Sequence, residues 1–249
     1  MYSTRTNLWS VVKRQLVFKL KANSGMFITM MVVQAIALFF LFSGMSGTSS
    51  SSTGQLQITI RVFSGSGLIA FTLIWAAIIA FALTTEISRN SDFAFVSNRL
   101  SSNFANVCFL ALASVLAGFT AVLGSILLRN LIYVSVGVEH IIANNFYLGP
   151  GELLTGLVAT VFYMFVVSAL GYMFGALVQL FKPLVVILPA VLLGSLIMEA
   201  RTEFRFLLRM VDFLITESAL LVFVLKALVV AILMFGAAAL ITNKLEVRR

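Results

Sequence analysis

Six stretches of this chain run almost without charge: residues 26–42, 62–83, 104–128, 153–181, 184–198 and 219–241. Within each, apolar residues follow one another continuously instead of alternating with polar ones. In lipid only helices and closed barrels satisfy every backbone group, and a barrel strand would alternate, so the runs predict helices. A span takes roughly 20 residues, with about 17 to 25 typical, and four of the runs fall in that window. The run 153–181 is long enough to tilt or to reach beyond the lipid. The run 184–198, interrupted by Pro189, is too short to cross comfortably at about 1.5 Å per residue. Charged residues are only 10% of the 249, against about 25% in a soluble domain, which leaves too little polar surface to face water. The expected fold is an all-α integral membrane protein with six transmembrane helices forming a single domain over residues 1–249.

The formal net charge of +8 does not point to nucleic acid, because the basic residues sit at the ends of the apolar runs and form no patch. They are better read as topology determinants. Arg5, Lys13, Arg14, Lys19, Lys21, Arg89, Arg99, Lys182, Lys244, Arg248 and Arg249 fall on one side of a six-span arrangement, and Arg61, Arg129, Arg201, Arg205 and Arg209 on the other. The excess predicts cytosolic termini and a cytosolic 84–104 segment. The first apolar run continues to membrane length, which predicts a retained span and not a cleaved signal. The single cysteine, Cys108, excludes an intrachain disulfide framework and any CxxC metal site.

Three segments between the runs carry pattern of their own. Residues 2–21 place Trp9, Val12, Leu16 and Leu20 on one helical stripe among basic residues, as in a helix lying in the inner membrane interface; a solvated basic leader is the alternative. Residues 43–53, SGMSGTSSSST, have the composition of a flexible linker. Residues 199–217 repeat Arg201, Arg205 and Arg209 every four positions beside Phe204, Leu207, Leu208, Val211 and Ile215, which predicts an amphipathic extracellular helix or helical pair dipping into the outer leaflet.

Chemistry is sparse. Gly44-Met45-Ser46-Gly47 matches the GxSG of intramembrane serine proteases, but Ser46 lies in the serine-rich stretch and His140, the chain's one histidine, follows the third run. A nucleophile needs its base within hydrogen-bond reach at a built site. Glu139 and His140 are adjacent and point apart on a helix, no acidic residue lies mid-span for a proton relay, and no GxxxxGK[ST] occurs. Lys226 stands inside the last run, either as a cargo or gating contact or as a lysine snorkelling to the interface. Gly171 and Gly175 form a GxxxG that would let helices approach closely, within one chain or between two.

Residues 84–104, TTEISRNSDFAFVSNRLSSNF, are too polar for lipid and too patterned for a linker. Ser91 can cap a short helix with Asp92 in its first turn, and Phe93, Val96 and Leu100 would then share a face. Such a helix fits a groove in another protein; the alternative is a helix lying on the membrane surface. The layout of N-terminal helix, six spans and a polar loop after the second span resembles the permease subunits of ABC-2 type transporters, the type V exporters. In that family a Glu leaves span two and a coupling helix follows, places held here by Glu86 and residues 92–103. Short helices between spans five and six match 199–217.

The resemblance implies the membrane half of an ATP-driven exporter in a bacterial cell membrane. ATP and Mg would sit on a separate ATPase subunit, with no cofactor on this chain, and a second permease subunit, identical or different, would share the lipid bilayer. It also implies that Glu86, Arg89, Asp92, Phe93, Phe95, Val96 and Arg99 contact the ATPase, and that the cargo is amphiphilic or hydrophobic: a peptide, lipid or drug. The competing class is a non-transport membrane protein, such as an immunity, sensor or assembly subunit, using the same loop for a cytosolic partner.

Overall fold

The computed structural model describes residues 8–45, 48–53, 56–61, 64–85, 88, 99–136, 149–201, 209, 212–214, 216–217 and 219–244. In chain order the elements are α1 (Leu8–Ala22), α2 (Ser24–Phe40, ending in a π-helical turn, Leu41–Met45), β1 (Thr48–Thr53), β2 (Leu56–Arg61), α3 (Ser66–Ala82), α4 (Arg99–Val136), α5 (Pro150–Leu180), α6 (Leu184–Arg201) and α7 (Leu220–Lys244). Each apolar run is therefore helical. Four segments, Ser24–Ser43, Ser101–Ser135, Pro150–Leu180 and Leu220–Thr242, are long and apolar enough to cross a membrane. The apolar helices Ser66–Ala82 and Leu184–Glu199 are shorter; 17 residues at 1.5 Å rise reach only about 25 Å, against a hydrocarbon core of about 30 Å.

The bundle is built around α5. Its start is fixed locally: Pro150 occupies the first helical turn, where its missing N–H costs nothing, and the Gly149 N–H donates to Glu152 Oε2 at 3.2 Å. From there α5 packs most extensively on α3 and α7, and next on α4. Small residues make those approaches close. A Cβ placed on Gly171 would come within 3.0 Å of Ala77 Cα, and one on Gly175 would run into the Thr84 side chain. The GxxxG of α5 thus packs on α3 inside one chain. Alanines do the same elsewhere: Ala105, Ala113, Ala117 and Ala121 line the buried side of α4, and Ala227, Ala231 and Ala238 that of α7. Large apolar side chains such as Val186, Ile232 and Leu240 face outward. Small residues inside and bulky ones outside is the arrangement expected where lipid, not water, surrounds the bundle.

Three features depart from the sequence-based expectation. Residues 48–53 are not a linker but one strand of an antiparallel hairpin, with Thr48 opposite Arg61 and Thr53 opposite Leu56. The signal lay downstream, where Leu56, Ile58 and Ile60 alternate with Gln57, Thr59 and Arg61 in a strand pattern. Helix α4, at 38 residues, outruns the apolar stretch 104–128 at both ends, so the last residues of the 84–104 segment are already its first turn. Helix α6 is the outlier in packing. Among the described residues its main neighbour is α5, and that contact is slight. Leu184, Leu188, Ser195 and Glu199 are half-buried on one side, while the others described are exposed, Val186 to 72%.

Candidate functional site: a hydrogen-bonded chain across four helices

At the end of the bundle where α3 finishes and α4 begins, polar side chains from four helices meet. Lys19 of α1 is only 3% exposed, and its Nζ donates to Asn106 Oδ1 on α4 at 2.6 Å. A lysine ammonium has only donors, so it fixes the Asn106 carboxamide with its oxygen toward α1. Asn106 Nδ2 is thereby aimed the other way and donates to Tyr172 OH on α5 at 3.0 Å. The Tyr172 proton goes to Asn103 Oδ1 at 2.9 Å. That sets Asn103 Nδ2 to donate to Thr242 Oγ1 on α7 at 3.3 Å, and Thr242 closes on the Ala239 carbonyl at 2.9 Å. Every link donates in the same direction, a condition under which neighbouring hydrogen bonds polarise one another. Asn103 and Asn106 meet the same tyrosine because residues three apart share a face of α4.

The face of α1 that docks holds three of the four stripe residues and leaves Trp9 outside. Val12 and Gln15 are 1% and 2% exposed, while Trp9 is 65% exposed. Leu16 and Leu20 pack on the main core only partly buried. At 3.6 residues per turn Trp9 lies about 60° round the helix from Val12, and the contact with α4 centres on residues 12, 15 and 19. Lys19, counted by sequence among the topology charges, is instead a buried link. Among the described residues, Gln15 has no hydrogen-bond partner on either amide atom.

A second polar cluster lies within the bundle. Gln34 of α2 donates to Thr120 Oγ1 on α4 at 3.0 Å, with Thr72 Oγ1 of α3 at 3.4 Å. Thr72 itself donates to the Leu68 carbonyl, and Trp75 Nε1 donates to Thr29 Oγ1 at 3.1 Å. Side-chain hydrogen bonds of this kind hold helices together where there is no water to compete. Toward the opposite end, Lys226 is paired with Glu217 and sits 4.3 Å from the centroid of the Phe213 ring. Both charged side chains are part-exposed, as for a cation held near an interface by a carboxylate and an aromatic face.

Of the residues assigned to the 84–104 contact, Glu86, Arg89, Asp92, Phe93, Phe95 and Val96 lie outside the described residues, and Arg99 opens α4. Ser46, Glu139, His140 and most of 202–211 also lie outside them. Among the described residues no group of three or more His, Cys, Asp or Glu converges on a metal-sized site, and Cys108 is half-buried with a free thiol. The arrangement at the α3–α4 end can bind, brace and transmit; among the described residues it presents no nucleophile with a base. Sequence reasoning missed Gln34, Asn106 and Tyr172 because it searched the apolar runs for charge, and it gave Lys19 only a topological role. The usable signal was neutral: a glutamine inside 26–42, an asparagine inside 104–128 and a tyrosine inside 153–181. Comparison with family models, with curated proteins and with solved structures returns no match.

Proposed function

We propose that this chain is the membrane-spanning permease subunit of an ATP-driven exporter of the ABC-2 type, moving an amphiphilic or hydrophobic peptide, lipid or drug outward. A separate ATPase subunit binds ATP and Mg, and a second permease, identical or different, completes the path. In this reading all six apolar helices cross a bacterial cell membrane, with α3 and α6 as the short spans. Both termini and residues 84–104 face the cytosol, and 199–217 re-enters the outer leaflet.

One observation supports this reading above the others. Residues 84–104 join α3 to α4, and the first turns of α4 carry Asn103 and Asn106, through which α1, α5 and α7 are hydrogen-bonded together. A partner pressing on 84–104 acts on α4 next to the point where four helices are tied. A ligand-driven change in an ATPase needs such a point if it is to bias an inward/outward equilibrium. The test is co-purification with a candidate ABC ATPase subunit, for the wild type and for Glu86→Ala and Phe93→Ala. The expected result is a stable complex with altered ATP hydrolysis, and about tenfold weaker binding in each variant, equivalent to about 1.4 kcal/mol. A wild type that neither binds an ATPase nor changes its hydrolysis ends the exporter reading. Capture of a non-ATPase cytosolic protein through the same residues would establish the non-transport class.

A further inference from the structure

Helix α1 is attached to the bundle in an unusual way. It meets α2 through the single residue Asn23, and its main contact is one face laid on the start of α4. Of the three most buried side chains on that face, two are polar: Gln15 and Lys19, beside Val12. Lys19 is satisfied by Asn106. Gln15 is not satisfied, since neither its Oε1 nor its Nε2 has a partner. A buried amide without partners forfeits the hydrogen bonds it makes in water, a loss larger than what one typical hydrogen bond contributes. The opposite face already lies outside the bundle, with Lys13, Arg14 and Val17 exposed.

We infer that α1 is a strap with two positions: one latched by Lys19 on Asn106, and one swung away about Asn23, in which Gln15 is hydrated. The latched position gains the Lys19 bond and the burial of Val12, Leu16 and Leu20; the released position gains the two amide groups of Gln15. These terms oppose one another, so any group that competes for Asn106 or covers Gln15 shifts the balance between the two positions. The device is built on the α1–α4 contact and holds whether or not the chain transports anything.

The experiment uses the full chain in lipid nanodiscs with Cys108→Ala as background and Val12→Cys as reporter, read by its reaction rate with a water-soluble maleimide. Val12→Cys should react more slowly than the exposed control Lys13→Cys, because only the released position admits the reagent. Gln15→Leu, which removes the unsatisfied amide, should slow the reporter about tenfold further. Asn106→Leu, which removes the latch, should speed it about tenfold. The strap is overturned if Gln15→Leu leaves the rate unchanged or raises it, or if the reporter reacts as fast as the control. Gln15→Met is read by the same criteria should the leucine variant fail to purify as a folded protein.

Discussion

Tyr172 stands between two asparagine amides, accepting from one and donating to the other. Removing its hydroxyl therefore strands the buried Asn106 amide and the half-buried Asn103 carbonyl at once, and stranding a group costs more than the bond it made. Tyr172→Phe is expected to lower stability by about 2 kcal/mol. Asn106→Leu, which takes the acceptor from a buried lysine as well as the donor from Tyr172, should lower it by about 3 kcal/mol. Denaturant titration in detergent micelles would check both; equal and small effects would mean that the chain of bonds is not a structural tie. The residue scale is also where the sequence was least legible. Nothing in the spacing of Lys19 distinguishes it from Lys13 or Lys21, which are exposed. What buries it is the position of Asn106, 87 residues away, and that proximity is a property of the assembled bundle.

Helices were legible because apolar continuity is a local property, and every run found by composition became a helix within a few residues. The GxxxG of α5 was legible as a close-packing device but not as to partner, since Ala77 comes from α3 and Thr84 from the turn that follows it. The hairpin was missed because the serines of β1 carry no strand signal and take their conformation from β2. Two glycines allow the packing to be tested at this scale. At Gly171 any Cβ meets the backbone of Ala77, whereas at Gly194 on α6 nothing lies within 4 Å. Gly171→Ala should destabilise by about 1–3 kcal/mol through overpacking. Gly194→Ala should be neutral or stabilise by up to about 1 kcal/mol through its lower backbone entropy when unfolded. Thermal melting of the two variants side by side would decide; equal shifts would contradict the central role of the α3–α5 contact.

For the molecule as a whole, charge asymmetry makes a prediction that packing does not. Residues 43–61 and 84–104 lie on opposite sides of α3, so in a Cys108→Ala background Ser50→Cys and Asn98→Cys should label from opposite faces of the membrane, with Asn98→Cys reached from the cytosol. Labelling of both from one face would remove α3 as a span. Membrane embedding itself was legible from charge content alone, because the scarcity of polar surface leaves no other solvent. The length of α4 has a mechanical consequence. Thirty-eight residues make a rod of about 57 Å, nearly twice the hydrocarbon thickness of about 30 Å. Its packing runs from Asn103 and Asn106 in the first turns to Leu128 and Ile132 near the far end, so the helix responds to a push as one rigid body. An axial displacement at Arg99 of about 1.5 Å, one residue's rise, reappears undiminished at Val136, about 57 Å away.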